Sequence, residues 1–217
     1  PSPTQAKYVV EDLRGRVDMI LDGGASEIGL ESTIVDLSGE VPVILRPGYI
    51  TEEMLSAVVG KVELDMAVTG MLQEDIKPRA PGMKYRHYAP KAEMTVFLGS
   101  PAEVCAAIEE ALGRAAAAGR RAGVLCTEES ERFYDAPVKK CAGRRNEPES
   151  VALSLYDVLR AFDREQVDCI FSESFEESPL GGAIMNRLLK AAGYRTVRCG
   201  RISSFRGQNA GPDVHWQ

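Results

Sequence analysis

The sequence contains no apolar run near the roughly 20 residues that a helix needs to cross a lipid bilayer. Its first residues, Pro-Ser-Pro-Thr, have neither the basic start nor the apolar centre of a secretion signal. Both absences predict a cytoplasmic protein without a membrane partner. An initiator methionine is also absent, so we expect that the chain begins inside a longer polypeptide or has been processed.

Cysteine and histidine are too scattered to predict a metal centre. The five cysteines include no Cys-X-X-Cys pair, and there are only two histidines. A structural zinc site needs clustered ligands of these types, and an odd number of cysteines does not suit a disulfide framework. We therefore expect no metal site built from protein side chains, and a reducing compartment.

Positive charge is in deficit as well. The chain has 26 Lys and Arg against 32 Asp and Glu, a net charge of -6. A general nucleic-acid-binding surface carries an excess of basic residues, so we expect no direct binding to nucleic acid. The 217 residues, 44% of them hydrophobic, suffice for one large domain or two small ones.

Residues 1–58 have the pattern of a mixed α/β unit. The predicted elements are a helix at 4–13 capped by Ser2 or Thr4, strands at 17–21, 32–37 and 41–45, and a helix at 51–59 between Thr51 and Gly60. Residues 59–92 form a predicted linker. Between residues 77 and 91 it has three prolines, five Lys or Arg and no acid, which favours an extended backbone.

Residues 93–199 alternate strands with helices. The predicted strands are 94–98, 123–126, 167–171 and 196–199, and the predicted helices are 101–118, capped by Ser100, 151–162 and 182–192. This alternation predicts a small Rossmann-like domain with a parallel sheet and right-handed crossovers. Residues 200–217 lack any apolar period, so we predict a disordered tail.

Several residues could carry chemistry, although each has a plainer interpretation. Arg46 ends an apolar strand, where it could hold a phosphate or carboxylate, or simply pair with a nearby acid. Ser32 begins a strand, which is usually ordinary strand-edge chemistry. Gly181-Gly182 precedes a helix, as in phosphate-binding loops. Tight helix packing is the favoured interpretation there, because no G-x-G-x-x-G motif follows a strand.

The linker holds one further candidate group, His87 between Tyr85 and Tyr88. Basic residues interleaved with aromatic rings could cover a nucleotide or touch RNA. The alternative is a solvated linker whose tyrosines pack between domains.

Three ordered groups of residues together resemble the long form of threonylcarbamoyl-AMP synthase. The first comprises Ser2-Pro3-Thr4, Asp12-Leu13 with Gly15, Asp22-Gly23-Gly24, Glu31-Ser32-Thr33 with Val35-Asp36, and residues 44–48. The second is the decapeptide at 81–90, and the third is 182–188 with Lys190-Ala191-Ala192. Agreement in order and spacing is more specific than any single motif. The resemblance implies the C-terminal fragment of a mixed α/β catalytic domain, a linker and a Rossmann-like domain.

The resemblance also implies a reaction. L-Threonine and bicarbonate form a carbamate that attacks the α-phosphate of ATP, with Mg²⁺ offsetting phosphate charge. Pyrophosphate leaves, and the threonylcarbamoyl-AMP passes to a complex that modifies adenosine 37 of certain tRNAs. The implied ATP-binding residues are Ser2, Arg46, Tyr85, His87 and Tyr88, and Ser32 would bind threonine.

The match has gaps that leave alternatives open. The family's Lys/Arg nucleotide motif and its Ser-Ala-Asn segment would lie upstream of Pro1, so no catalytic residue is assigned and we expect the chain alone to be inactive. A non-catalytic nucleotide-binding or regulatory module is the alternative function. An NAD-dependent dehydrogenase is disfavoured, because the glycine fingerprint is missing.

Overall fold

The computed structural model describes residues 1–69, 79, 88–175 and 180–200. Tyr85, His87 and residues 201–217 lie outside these ranges, as does most of the predicted linker. The predicted disorder of the tail therefore stays a prediction. Within the described ranges, no helix is long and apolar enough to span a membrane.

The N-terminal part is built around a small mixed sheet. Its elements are α1 (Ala6–Leu13), β1 (Ile34–Asp36), β2 (Val43–Arg46), α2 (Glu52–Val59), β3 (Glu63–Leu64) and α3 (Met66–Thr69). β1 and β2 are antiparallel, and β3 adds to β2 in parallel. The predicted caps of α2 are confirmed, since Thr51 Oγ1 accepts the Met54 N–H at 3.3 Å and Gly60 ends the helix at a φ of 80°.

Three predictions for this part are wrong or incomplete. α1 begins after Gln5, which makes no side-chain capping bond, and the hydroxyl of Ser2 instead donates to Glu31. Residues 17–21 form no strand, because no described strand lies beside them to accept their hydrogen bonds. β3 and α3 fall within the predicted linker. They are too short for periodicity to reveal, and β3 depends on its pairing with β2.

The second part confirms the predicted parallel α/β sheet. Its elements are β4 (Glu93–Leu98), α4 (Pro101–Ala117), β5 (Ala122–Cys126), β6 (Val138–Cys141), α5 (Pro148–Glu165), β7 (Cys169–Ser172), α6 (Gly181–Ala191) and β8 (Thr196–Arg198). All five strands are parallel, in the order β6-β5-β7-β4-β8. The sequence analysis missed β6, whose two central lysines are typical of an exposed edge strand.

The core lies on both faces of this sheet, as strand alternation requires. On one face, Met94 and Leu125 pack against α5 and α6, where Leu155 and Ile184 are fully buried. On the other face, Val124 and Cys126 pack against α4. Cys126 is buried with a free thiol, so it acts as a small hydrophobic residue.

The N-terminal part packs on α5. Tyr8 is buried under Arg160, whose guanidinium lies 4.8 Å from the ring centroid. Arg160 also donates to both carboxylate oxygens of Asp12, at 3.0 and 2.6 Å. Gly29 brings the following loop directly onto the α5 backbone, with a φ of 80°. A Cβ on Gly29 would collide with the backbone of Ala152 and Leu153, so the residue must lack a side chain.

We expect Gly29→Ala to destabilise the protein more than the matched control Gly24→Ala. Both glycines have positive φ, which costs an L-residue about 1–2 kcal/mol, but only Gly29 has backbone atoms in the way of a Cβ. The collision should add about 1–3 kcal/mol. Urea unfolding of both variants measures the difference, and equal losses would contradict the close approach of this loop to α5.

Candidate functional site

The residues that could bind a ligand gather where the two parts meet. The N-terminal part contributes Ser2, the loop at Glu31 and Ser32, and the end of β2 at Arg46. The second part contributes one face of α5 and one face of α6. The family-implied Ser2, Ser32, Arg46 and Tyr88 are thus brought together, whereas Tyr85 and His87 lie outside the described residues.

Glu31 is at the centre of this junction. Its carboxylate accepts hydrogen bonds from Ser2 Oγ, from Tyr156 Oη at 2.6 Å and from Arg187 Nε at 3.1 Å. The ring of Tyr156 in turn stacks on Tyr88, with 5.2 Å between the ring centroids. One carboxylate therefore connects the chain start with α5 and α6 and, through Tyr156, with Tyr88 near the end of the predicted linker.

Arg187 ties α6 to two loops of the N-terminal part. The side chain is 0% exposed, yet its guanidinium bonds the carbonyl oxygen of Pro47 at 2.5 Å and that of Glu31 at 3.3 Å. These two loops also touch each other, since a Cβ on Gly48 would meet the Thr33 nitrogen at 2.5 Å. Because each of its three nitrogens donates to protein oxygens, Arg187 acts as a structural residue.

Arg46 is not held by an acid. Its Nε donates to the carbonyl oxygen of Ser32 at 3.0 Å, and its Nη2 lies 3.3 Å from the Ser32 hydroxyl. Across the described ranges, no carboxylate lies within ion-pair distance of Arg46. Within these ranges, the structure therefore does not support the plainer interpretation, in which Arg46 pairs with a nearby acid. Ser32 orients the residue, and no acid in the described part of the chain compensates its charge.

Lys190 brings a second uncompensated cation to the same junction. It follows Arg187 by one helical turn, and it is 5% exposed. Burial lowers its pKa from 10.5 to about 8, with the charges of Arg187 and Arg46 acting in the same direction and Glu31 opposing them. Among the described residues, Lys190 has no hydrogen-bond or ion-pair partner.

No pattern in the sequence predicted that Glu31, Tyr156 and Arg187 form a connected group, and Lys190 stood out only as a member of a family motif. A signal was present in α6, where Asn186, Arg187 and Lys190 are buried in a helix with an apolar face. Buried charged residues are rare unless they are paired or functional. Gly181 and Gly182 are the first two residues of α6 rather than residues before it. They were interpreted as packing residues, but a Cβ on Gly182 would meet nothing within 4 Å.

A separate polar cluster lies at the carboxyl ends of β5 and β7. Glu173 is 1% exposed, and it accepts bonds from Ser130, Arg145, Tyr134 Oη at 2.8 Å and Thr127 Oγ1 at 3.4 Å. A cavity of about 560 Å³ opens beside it. Because the donors saturate the carboxylate, this cluster is a closed network that holds the strand ends together.

None of the described residues forms a cluster of His, Cys, Asp or Glu able to hold a metal ion. At the junction, Glu31 is already engaged by three donors. A Mg²⁺ ion at this site would therefore take its oxygen ligands from a bound phosphate group and from water, the usual arrangement for magnesium with nucleotides.

Comparison with known proteins shows which family has this arrangement. Residues 50–193 match the family model described as "Threonylcarbamoyl-AMP synthase, C-terminal domain", and residues 1–48 match one described as "Telomere recombination". The threonylcarbamoyl-AMP synthase of Bacillus subtilis is 48% identical over 91% of this chain and 55% of its own length. That of Pyrococcus abyssi is 42% identical over 91% and 56%.

Solved structures agree with these matches. The crystal structure of P. abyssi Sua5 complexed with L-threonine superposes with a TM-score of 0.82 at 42% identity, covering 91% of this chain and 56% of that one. A P. abyssi Sua5 variant with alanines replacing consecutive histidine and tyrosine residues gives a TM-score of 0.83 at 41% identity, covering 91% and 55%. The chain spans about half the length of these relatives.

We expect Glu31→Gln to weaken the junction in a pH-dependent way. Burial alone would raise the pKa of Glu31, but the bonds from Ser2 and Tyr156 and the charge of Arg187 lower it from 4.5 to about 2. Because the pKa is lower in the folded protein, the stabilisation is complete above about pH 4.5 and is lost as the pH falls towards about 2.

At pH 7 the variant should lose about 1–3 kcal/mol of unfolding free energy. The difference from the wild type should shrink below pH 4.5. Urea unfolding over a pH series measures both quantities. Glu63→Gln, in an exposed pair with Lys61, is the control and should change stability by less than about 0.5 kcal/mol. A difference that does not vary with pH would contradict the role of Glu31.

Proposed function

This chain belongs to the threonylcarbamoyl-AMP synthase family, and on that premise we propose that it takes part in forming threonylcarbamoyl-AMP from L-threonine, bicarbonate and ATP, with release of pyrophosphate. The observation that carries the proposal is the junction itself. Ser2, Ser32 and Arg46 meet there beside a second cation that has no acidic partner among the described residues. ATP and bicarbonate are anions, and threonine carries a carboxylate, so each proposed substrate has a negatively charged group that these cations could bind.

Arg46 is the proposed ATP contact with the clearest physical support. Its guanidinium is fixed by Ser32 and pairs with no carboxylate of the described residues, so we propose that its charge is available to a phosphate. A pre-oriented guanidinium binds phosphate oxygens through charge-assisted hydrogen bonds. In nucleotidyl transfer, such cations stabilise the charge that develops as pyrophosphate leaves, and Mg²⁺ bound with ATP would add to this effect.

Ser32 is the proposed threonine contact. Its hydroxyl lies beside Arg46, so the amino acid and the triphosphate would be neighbours, as attack on the α-phosphate requires. The P. abyssi protein, which is 42% identical, has been solved with L-threonine. That relative supports threonine as the amino acid for this chain as well.

Tyr88 and Ser2 are proposed to border the ATP pocket. Tyr88 is held against Tyr156 by ring stacking, and Ser2 is held by Glu31. His87-Tyr88 is the one His-Tyr pair in this sequence, and such a pair has been replaced by alanines in the P. abyssi protein. We retain Tyr85, His87 and Tyr88 as proposed ATP contacts on this basis and on the family resemblance.

The later steps belong to the same proposal. The net charge of -6 does not suit a tRNA-binding surface. Threonylcarbamoyl-AMP would therefore leave for a separate tRNA-modifying complex in the cytoplasm. The alternative function is a nucleotide-binding module without catalysis, which would need a nucleotide site in the Rossmann-like part. Among the described residues there, the polar cluster around Glu173 includes no glycine-rich phosphate loop, so this alternative is disfavoured.

The proposed activity is tested in a chimera that joins the upstream half of the B. subtilis relative to this chain. We expect pyrophosphate release that requires ATP, threonine and bicarbonate together. The 217-residue chain alone, which spans about half the length of the relatives, is expected to give none above the blank. A folded chimera that releases no pyrophosphate would contradict the proposed function.

In the same chimera, Arg46→Ala should weaken ATP use far more than it lowers the melting temperature. A charge-assisted contact to phosphate is worth about 1.5–3 kcal/mol. Its loss should therefore lower kcat/KM for ATP by roughly 10- to 150-fold. The control is Arg114→Ala, an exposed arginine paired with Glu110, which should change neither quantity. A variant that melts much earlier but uses ATP normally would make Arg46 a structural residue.

A further inference from the structure

The junction holds more positive than negative charge. It contains three cations, Arg46, Arg187 and Lys190, and one carboxylate, Glu31, among the described residues. Glu31 is bound to Arg187 at 3.1 Å, so that pair is neutral. Arg46 and Lys190 remain, and neither has a carboxylate partner in the described part of the chain.

A lysine in the position of Lys190 is unfavourable in the ligand-free protein. An ammonium group loses hydration when it is buried, and it needs a nearby anion to recover that free energy. The side chain of Lys190 is only 5% exposed. The charged groups that influence it are the guanidiniums of Arg187 and Arg46 and the carboxylate of Glu31, which is already bonded to Arg187. A neutral side chain of the same length would pack there without this penalty.

We propose that Lys190 binds the polyphosphate chain of the nucleotide, so that the second part of the molecule supplies a cation to the same pocket as Arg46. This inference rests on the proposed function, which places a nucleotide at the junction. Lys190 is then a phosphate-binding residue, and Arg187 is the structural residue that positions α6 for it.

The charge balance favours a polyphosphate over the other anions of the reaction. The carboxylate of threonine and bicarbonate each carry a single charge, which Arg46 alone could neutralise. A triphosphate or pyrophosphate carries several charges on adjacent oxygens and needs several cations. Two free cations from different parts of the chain match the longer ligand, and they make its binding depend on an intact junction.

The test measures the affinity of the 217-residue chain for inorganic pyrophosphate and for L-threonine by calorimetry. Lys190→Met keeps the length of the side chain but removes the charge, and Lys190→Arg keeps the charge. Lys139→Met, an exposed lysine on β6, is the matched control. Arg46→Ala is the reference for loss of a proposed phosphate contact.

We expect Lys190→Met to weaken pyrophosphate binding by about 10- to 100-fold, while Lys190→Arg retains most of it and Lys139→Met all of it. Threonine affinity should change by less than about threefold. Equal pyrophosphate affinity in the wild type and Lys190→Met, with a loss in Arg46→Ala, would overturn this inference alone. A loss of threonine affinity with pyrophosphate affinity retained would overturn it as well.

Two further outcomes separate this inference from the proposed function. A wild-type chain that binds no pyrophosphate would overturn both the nucleotide site and the role of Lys190. Lys190-dependent pyrophosphate binding in the chain, together with a chimera that makes no threonylcarbamoyl-AMP, would overturn only the reaction.

A stability measurement keeps the test decisive if binding is difficult to quantify. Lys190→Met should raise the melting temperature of the ligand-free protein at pH 7 by at least about 2 °C, whereas loss of a structural lysine would lower it. Burial lowers the pKa of Lys190 from 10.5 to about 8 in the folded protein, reinforced by the charges of Arg187 and Arg46 and opposed by that of Glu31. Because the unfolded chain binds more protons between these values, the wild type should gain stability relative to Lys190→Met as the pH rises through that window.

Discussion

The partly buried ion pair between Glu31 and Arg187 is the interaction on which the junction depends. The two residues are 156 apart in sequence, and neither has another charged partner of opposite sign among the described residues. Removing one partner of such a pair leaves a charge without compensation in a poorly solvated place. Because the same groups also bond Ser2, Tyr156 and the carbonyl of Pro47, loss of the pair would free the chain start, α5 and the end of β2 together.

Two carboxylates in this chain, the buried Glu173 and the half-buried Glu31, show the difference between a structural cluster and a binding site. Glu173 accepts hydrogen bonds from four side chains and is paired with Arg145, so its neighbourhood needs nothing further. At the junction, Glu31 is equally saturated, but Arg46 and Lys190 beside it are not. A fold with uncompensated buried charge is stabilised by any anion that binds the folded state alone. The unsatisfied groups, rather than the size of a cavity, therefore indicate where a ligand belongs.

Sequence periodicity predicted most of the second part because its strands and helices are long and locally encoded. α4 begins directly after its N-cap Ser100, as its capping pattern predicts, and Glu103 accepts the Ser100 N–H at 3.2 Å. Periodicity failed where an element depends on distant partners. β3 is two residues long and exists through its pairing with β2, while residues 17–21 have an apolar pattern and no described strand to pair with. Local preference is a weak prior in such cases.

The site was predictable only in part, for a related reason. Motif resemblance selected Ser2, Ser32, Arg46 and Tyr88, and the structure brings these four together. No local pattern could reveal that Glu31 and Arg187 neutralise each other and thereby leave Lys190 and Arg46 as the free charges, since charge balance is a property of the folded arrangement. The same balance explains why Arg46 and Lys190 come from different parts of the chain. Two like charges held by separate elements repel each other across the junction until an anion lies between them, so ligand binding and docking of the two parts stabilise each other.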